Sequence, residues 1–368
     1  MKFLIITQTL RIGGIERNVL DQAYQLSDRG DTGIILVLDK ANTFERVNFI
    51  TVENELINGK KLDIRYSNKR TLTQIRNMVS ILKEIDFDIV IDYTISGTLK
   101  IRLASLFARK RIVIHTVVEQ LTSLSTTKQK YKRFLYAQFA TRLFMNSVNY
   151  GDDWVYYGKS NIFAFLISRK KFNIIRNGVY LPRLKVSYEG INRKNSENIR
   201  LVFLGRLKAW KGLNHFVKID NALNNKVNFL VLASEKDDEA TNNLKSLFGD
   251  RIEFIFGTTI NDFIPNAGDI HFYPVDYGNK SPAIESVSTN CLEMALLGVP
   301  SVVTIGGTSN WIELRDLGLV CEVNWEIPES IRLGIHNCKQ VNISRVEFMT
   351  LANAIDIEGN LNSHLSYL

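Results

Sequence analysis

The chain has 368 residues, 45% hydrophobic and 23% charged, with a net charge of +8. That is ordinary for a globular protein long enough for two domains, and no run of ~18 apolar residues marks a membrane-spanning helix. Three scattered cysteines (Cys291, Cys321 and Cys338) suit neither a disulfide framework nor a zinc pattern and point to a reducing, cytoplasmic setting.

The charge is uneven. Residues 1–178 hold 28 Lys and Arg against 16 Asp and Glu, +12, and the remainder 18 against 22, −4. Between Lys100 and Arg142 ten basic residues stand against one acid, Glu119. So basic a first half implies an anionic partner, or else a solvated face. No nucleic-acid recognition motif accompanies it, so nucleic acid is not an expected partner.

The opening FLIIT (3–7) is too short for a signal-peptide core and reads as a first strand. A loop then leads to a helix on which Ile15, Val19, Leu20, Ala23 and Leu26 recur at helical spacing, closed by Gly30. Strand 34–38, helix 71–85, strand 88–93, helix 96–109, strand 111–117, helix 127–140 and strand 142–146 follow. The polar segment 179–200, with Pro182 and Gly190, reads as a linker. Alternation then restarts with strand 201–205, a helix from about 211, strand 228–233, helix 238–248, strands 251–256 and 269–274, helix 288–297 and strand 301–305. A last helix is expected over 345–356. Apolar strands alternating with amphipathic helices predict an α/β protein of two doubly wound domains, at 1–178 and 201–344, with a helical tail at 345–368. Ligands of such sheets bind at the carboxyl ends of the strands.

Three stretches carry residues suited to chemistry. In LGRLKAWKG (204–212), Gly205 permits a sharp turn flanked by Arg206 and Lys211, two cations that suit a diphosphate, or a surface turn with incidental charges. In ESVSTNCLEMALLGVPSVVT, Ser288, Thr289 and Asn290 are all helix-cap residues, Gly298 stops the helix, and Glu285 and Glu293 flank its start. Free N–H groups between two carboxylates seat a phosphate beside acceptors for sugar hydroxyls; alternatively Glu293 is a capping partner of Asn290 and Glu285 a solvated residue. In RIGGIER, Gly13 and Gly14 let a ligand approach a helix start or simply make a tight turn; this is not the GxGxxG pattern, and no nicotinamide cofactor is implied.

Together these segments resemble the retaining glycosyltransferases of the GT-B fold, family 4, over nearly the whole chain and in the family's order. GGIERNVLDQAYQLSDRG is similar to the family's glycine loop and helix, NIIRNGV (173–179) to the close of its first domain, LGRLKAWKG to its arginine–lysine pair, and ESVSTNCLE to its glutamate–seven–glutamate motif. The resemblance implies two Rossmann-like domains facing a cleft, the first binding acceptor and the second a UDP- or GDP-linked sugar, with no metal and no other cofactor. Arg206 and Lys211 would grip the diphosphate, Glu293 the ribose, Glu285 the transferred sugar and Gly14 the donor from the first domain. Ser286 and Ser288 stand where relatives often have glycines. Val118 stands where they often have a histidine, with His115 three residues earlier as a displaced sugar contact or, the favoured reading, a core residue.

Residues 125–140 interleave Lys128, Lys130, Lys132 and Arg133 with Tyr131, Phe134, Leu135, Tyr136 and Phe139. This suits either an anionic membrane surface, with peripheral attachment at the inner face and a lipid-linked glycan acceptor, or an ordinary amphipathic helix with its aromatics in the core. The leading expectation is a glycosyltransferase of surface polysaccharide or glycolipid assembly. A nucleotide-sugar epimerase of the same fold and a non-catalytic nucleotide-sugar-binding scaffold are the alternatives.

Overall fold

The computed structural model describes residues 1–10, 14–39, 62–67, 70–94, 96–118, 135–136, 138–145, 172–184, 186, 191–192, 199–224, 227–233, 236–258, 260, 263–274, 288–305 and 311–366. The chain divides into two compact units, Met1–Tyr180 with Ile357–Leu368, and Leu181–Asp356.

The first unit runs β1 (Lys2–Thr7), α1 (Gly14–Asp28), β2 (Thr32–Val37), β3 (Leu62–Tyr66), α2 (Thr71–Glu84), β4 (Ile89–Asp92), α3 (Ser96–Ala108), β5 (Val113–Val118), β6 (Arg142–Met145) and β7 (Phe172–Ile174). The strands form one parallel sheet in the order β3-β2-β1-β4-β5-β6-β7. Its central strands are apolar at successive positions because both faces are covered. Phe3 and Ile5 of β1 pack with Val19, Ala23 and Leu26 of α1. Leu4 and Ile6 point the other way, toward Met78, Ile81 and Leu82 of α2 and Ile101 and Ala104 of α3. The alternation along β1 thus builds two cores from one strand.

The second unit runs β8 (Ile191–Asn192), β9 (Arg200–Leu204), α4 (His215–Ala222), β10 (Asn228–Ala233), α5 (Asp238–Phe248), β11 (Ile252–Phe256), β12 (Asp269–Tyr273), α6 (Thr289–Leu296), β13 (Ser301–Thr304), α7 (Ile312–Asp316), β14 (Val320–Val323), α8 (Pro328–Lys339), β15 (Asn342–Ile343) and α9 (Arg345–Ile355). Its parallel sheet has the order β11-β10-β9-β12-β13-β14. Phe216 of α4 meets Phe272 edge-on at 4.7 Å and Phe229 at 5.1 Å, and Phe229 meets Phe248 of α5 at 4.9 Å. Arg200 at the start of β9 grips Asp269 at the start of β12 with two hydrogen bonds of 2.7 and 2.8 Å. The segment read as a linker holds a 3-10 turn, Leu181–Arg183, and the strand β8, which pairs antiparallel with β15.

The tail expected at 345–368 comprises two helices that belong to different units. After α9, the helix α10 (Ile357–Leu365) joins the first unit. Ile357 N–H donates to the Val179 carbonyl at 2.9 Å. Gln22 of α1 and Arg29, just past its end, donate to Asn360 and Asn362 at 2.6 and 3.0 Å, and Leu361 enters the α1 core.

Candidate functional site

In both sheets the strand order reverses beside the first strand, between β1 and β4 and between β9 and β12. At such a point the loops leaving neighbouring strands part and open a crevice at the carboxyl ends. In the second unit three segments meet there. Gly205 ends β9 at φ +152 and donates its N–H to Leu232 at 3.0 Å, and Arg206, next along, is exposed. The 3-10 turn Ala209–Lys211 then brings Lys211 Nζ to 2.5 Å from the Tyr273 hydroxyl and 4.6 Å above the centre of its ring. Gly212 follows at φ +78, where a Cβ would lie 1.7 Å from the Pro274 carbonyl oxygen. Only glycine lets this turn lie so close to the end of β12.

The third segment is the start of α6. Of the three cap residues expected, Ser288 is the cap, its Oγ accepting from Asn290 N–H at 3.3 Å. Asn290 instead spends its amide on the Leu204 carbonyl at 2.8 Å, which fastens the helix start to the end of β9. Thr289 is buried. The N-terminal N–H groups of α6 carry the positive end of the helix dipole, so together with Arg206 and Lys211 the edge presents three sources of positive potential.

Glu293 lies one turn into α6 and is 3% exposed, the one charged residue of a helix otherwise buried nearly throughout. Its Oε1 accepts from the Arg183 guanidinium, which is itself buried. Below the helix, His271 of β12 is fully buried and pushed down to about 3 by desolvation, so it is a neutral ring; its Nδ1 lies 2.9 Å from Ser301 Oγ.

The remaining expected residues belong to the first unit or lie outside the described residues. Gly14 is the first residue of α1. His115 of β5 is fully buried, its ring stacked on that of His364 of α10 at 5.7 Å. Gly13, Glu285, Lys128, Lys130, Lys132 and Arg133 lie outside the described residues. Two participants were not singled out in the sequence. Tyr273 reads as one more apolar strand residue, and Arg183 is hidden by its place in a polar stretch. Among the described residues no three His, Cys, Asp or Glu side chains gather as a metal site, and no helix is long and apolar enough to cross a membrane.

No family model and no curated protein matches the chain. Solved structures do. HepE of Anabaena, in complex with UDP and glucose, is 17% identical, with all of both chains covered and a TM-score of 0.68. A glycosyltransferase from Rickettsia africae is 14% identical, with all of this chain and 97% of that one covered, at 0.71. The lipopolysaccharide outer core galactosyltransferase WaaB is 14% identical with full coverage of both, at 0.61. The fold that this chain shares with these proteins, two parallel doubly wound sheets in succession, is the GT-B fold of glycosyltransferases.

Proposed function

We propose that the chain is a metal-independent glycosyltransferase of the retaining kind, moving a sugar from a UDP- or GDP-sugar to a glycan or lipid-linked acceptor. The observation that carries this reading is the convergence of Arg206, Lys211 and the α6 N-terminus at the carboxyl end of β9. As the bond from the anomeric carbon to the diphosphate oxygen breaks, negative charge grows on the departing diphosphate. Preorganised cations and N–H groups stabilise that charge more than they stabilise the bound donor, which lowers the barrier. Lys211, held against Tyr273, needs little reorganisation to serve. The acceptor hydroxyl bonds to the anomeric carbon from the face the diphosphate leaves, and its proton passes to a diphosphate oxygen. Glu293 would accept hydrogen bonds from the ribose, and Glu285 from the transferred sugar.

The acceptor belongs to surface polysaccharide or glycolipid assembly in this reading, with the chain working in the cytoplasm at the inner face of the membrane. The strongly basic first half supports it. Loss of sedimentation with anionic vesicles after replacing Lys128, Lys130, Lys132 and Arg133 is the expected result; unchanged sedimentation removes the membrane part.

The donor site is tested by thermal shift and sugar release with UDP- and GDP-sugars, starting from UDP-glucose because the Anabaena protein was solved with it. Arg206→Ala and Lys211→Ala should each weaken binding by about tenfold or more, as loss of a charge-assisted hydrogen bond does. Absence of stabilisation by any nucleotide would sink the reading and leave a scaffold without a donor site.

A further inference from the structure

A carboxylate buried in an apolar helix is an expensive choice unless something uses it. Every residue of α6 from Cys291 to Leu296 is buried, and all but Glu293 are apolar. Packing alone would favour leucine at 293. Arg183 and Glu293 together occupy space that apolar side chains could fill at equal or greater stability, and the best-attested use of such a buried pair is to fix geometry.

The surroundings show how the geometry is set. Arg183 belongs to the 3-10 turn Leu181–Arg183, closed by Leu184 N–H donating to the Leu181 carbonyl at 2.9 Å, with Leu184 buried. The same stretch of chain meets α6 again at its far end, where a Cβ on Gly298 would lie 3.4 Å from Ile191 Cγ1. This stretch, described at 181–184 and again at Ile191, therefore touches the α6 region at two points. Arg183 is the part of it that reaches the turn following the helix start, taking Glu293 Oε1 and leaving Oε2 for another donor.

We propose that Arg183 is a positioning residue for the donor. By holding one carboxylate oxygen of Glu293, it fixes the other toward the ribose hydroxyls and so sets the discrimination between ribo- and 2′-deoxyribonucleotides. Arg183 touches no reacting atom in this scheme; it acts through Glu293. The inference rests on the donor-site reading above and adds to it a residue and a selectivity.

The test is calorimetric titration with UDP and 2′-deoxy-UDP, or with GDP and 2′-deoxy-GDP, whichever ribonucleotide the wild type binds. The wild type should prefer the ribonucleotide by about tenfold, the value of one or two hydrogen bonds to a charged acceptor. In Arg183→Ala the preference should fall toward one while both nucleotides still bind through the diphosphate, and Arg183→Lys should restore part of it. General loosening of the fold weakens both ligands alike and cancels in the ratio. Should Arg183→Ala not fold, Arg183→Gln keeps most of the bulk without the charge and is read in the same way. A ratio unchanged in the arginine variants but abolished in Glu293→Ala overturns the role of Arg183 and leaves the donor site standing. A wild type without ribose preference overturns it also, and a wild type that binds no nucleotide overturns the donor site with it.

Discussion

Acidification should turn buried histidines against the fold in both units, and His364 offers the cleanest place to measure it. His115 and His364 are buried in the first unit and His271 in the second. Burial pushes them from an ordinary 6.5 down to about 4, about 3 and about 3, with the charges of Arg142 and of the neighbouring His115 adding to the effect on His115 and His364. The unfolded chain takes up a proton at each near pH 6.5, whereas the folded chain stays neutral until pH 4 or below. The full stability is therefore present above pH 6.5 and is lost as pH falls through the window from 6.5 to about 4 or 3. Between pH 7 and pH 5 each of these histidines contributes a loss of about 2 kcal/mol, which the buried Asp92 of the first unit, raised by desolvation, partly opposes by taking up a proton more readily when folded. A loss of about 2 kcal/mol is a large share of the ~5–15 kcal/mol typical of a domain. Native-state hydrogen exchange read separately in each unit at pH 7, 6 and 5 supplies the slopes. His364→Phe should remove about 2 kcal/mol of the loss between pH 7 and pH 5 in the first unit and leave the second unchanged. A first-unit pH dependence left untouched by His364→Phe would refute the reasoning.

Gly212→Ala forces a Cβ into the Pro274 carbonyl at a positive φ, so it should destabilise the second unit by about 2–4 kcal/mol in urea titration. Nucleotide binding should weaken in the same variant, because the turn that carries Lys211 must move. Tyr273→Phe removes the hydroxyl partner of Lys211 and keeps the ring beneath its ammonium, so donor affinity should fall only about three- to tenfold in calorimetry, with little change in melting temperature. Ser344→Ala breaks the capping box with Glu347 at the start of α9, where Glu347 N–H donates to Ser344 Oγ at 3.3 Å and Ser344 N–H to Glu347 Oε2 at 2.9 Å. Its effect should be about 1 kcal/mol of stability with no change in nucleotide affinity.

Elements with a regular apolar pattern were the legible ones. β1, β2, β10 and β12 are short apolar runs bounded by polar turns, and α1, α2 and α5 carry one apolar stripe each. β3 was not foreseen because an edge strand reading LDIRY places Asp63 and Arg65 where the pattern wants apolar residues. In α8 the apolar spacing is interrupted at Gly334, and the structure gives the reason: a Cβ there would stand 2.3 Å from Val323 Cγ1. Lys211, Arg206 and the start of α6 were legible as a candidate site because each sits at a strand end or helix start, where local rules apply. Arg183 was not, since its meaning comes from a contact 110 residues away. The destination of α10 was hidden for the same reason. Gln22, Asn360 and Asn362 are polar residues that look solvated until the two helices are side by side.

The membership of α10 in the first unit has a consequence for the order of assembly. The second unit is one continuous stretch, Leu181–Asp356, whereas the first is interrupted by all of it. Until Ile357–Leu365 has been made, His115 and the apolar face of α1 lack part of their cover, and a nascent chain exposes them through the synthesis of 176 intervening residues. The unit begun first is thus completed last, and in that interval its uncovered apolar surface is open to wrong association. Trimming the final helix from an expression clone would accordingly injure the half of the protein farthest from the cut in sequence, and a fusion partner that ties up this helix would delay the same half.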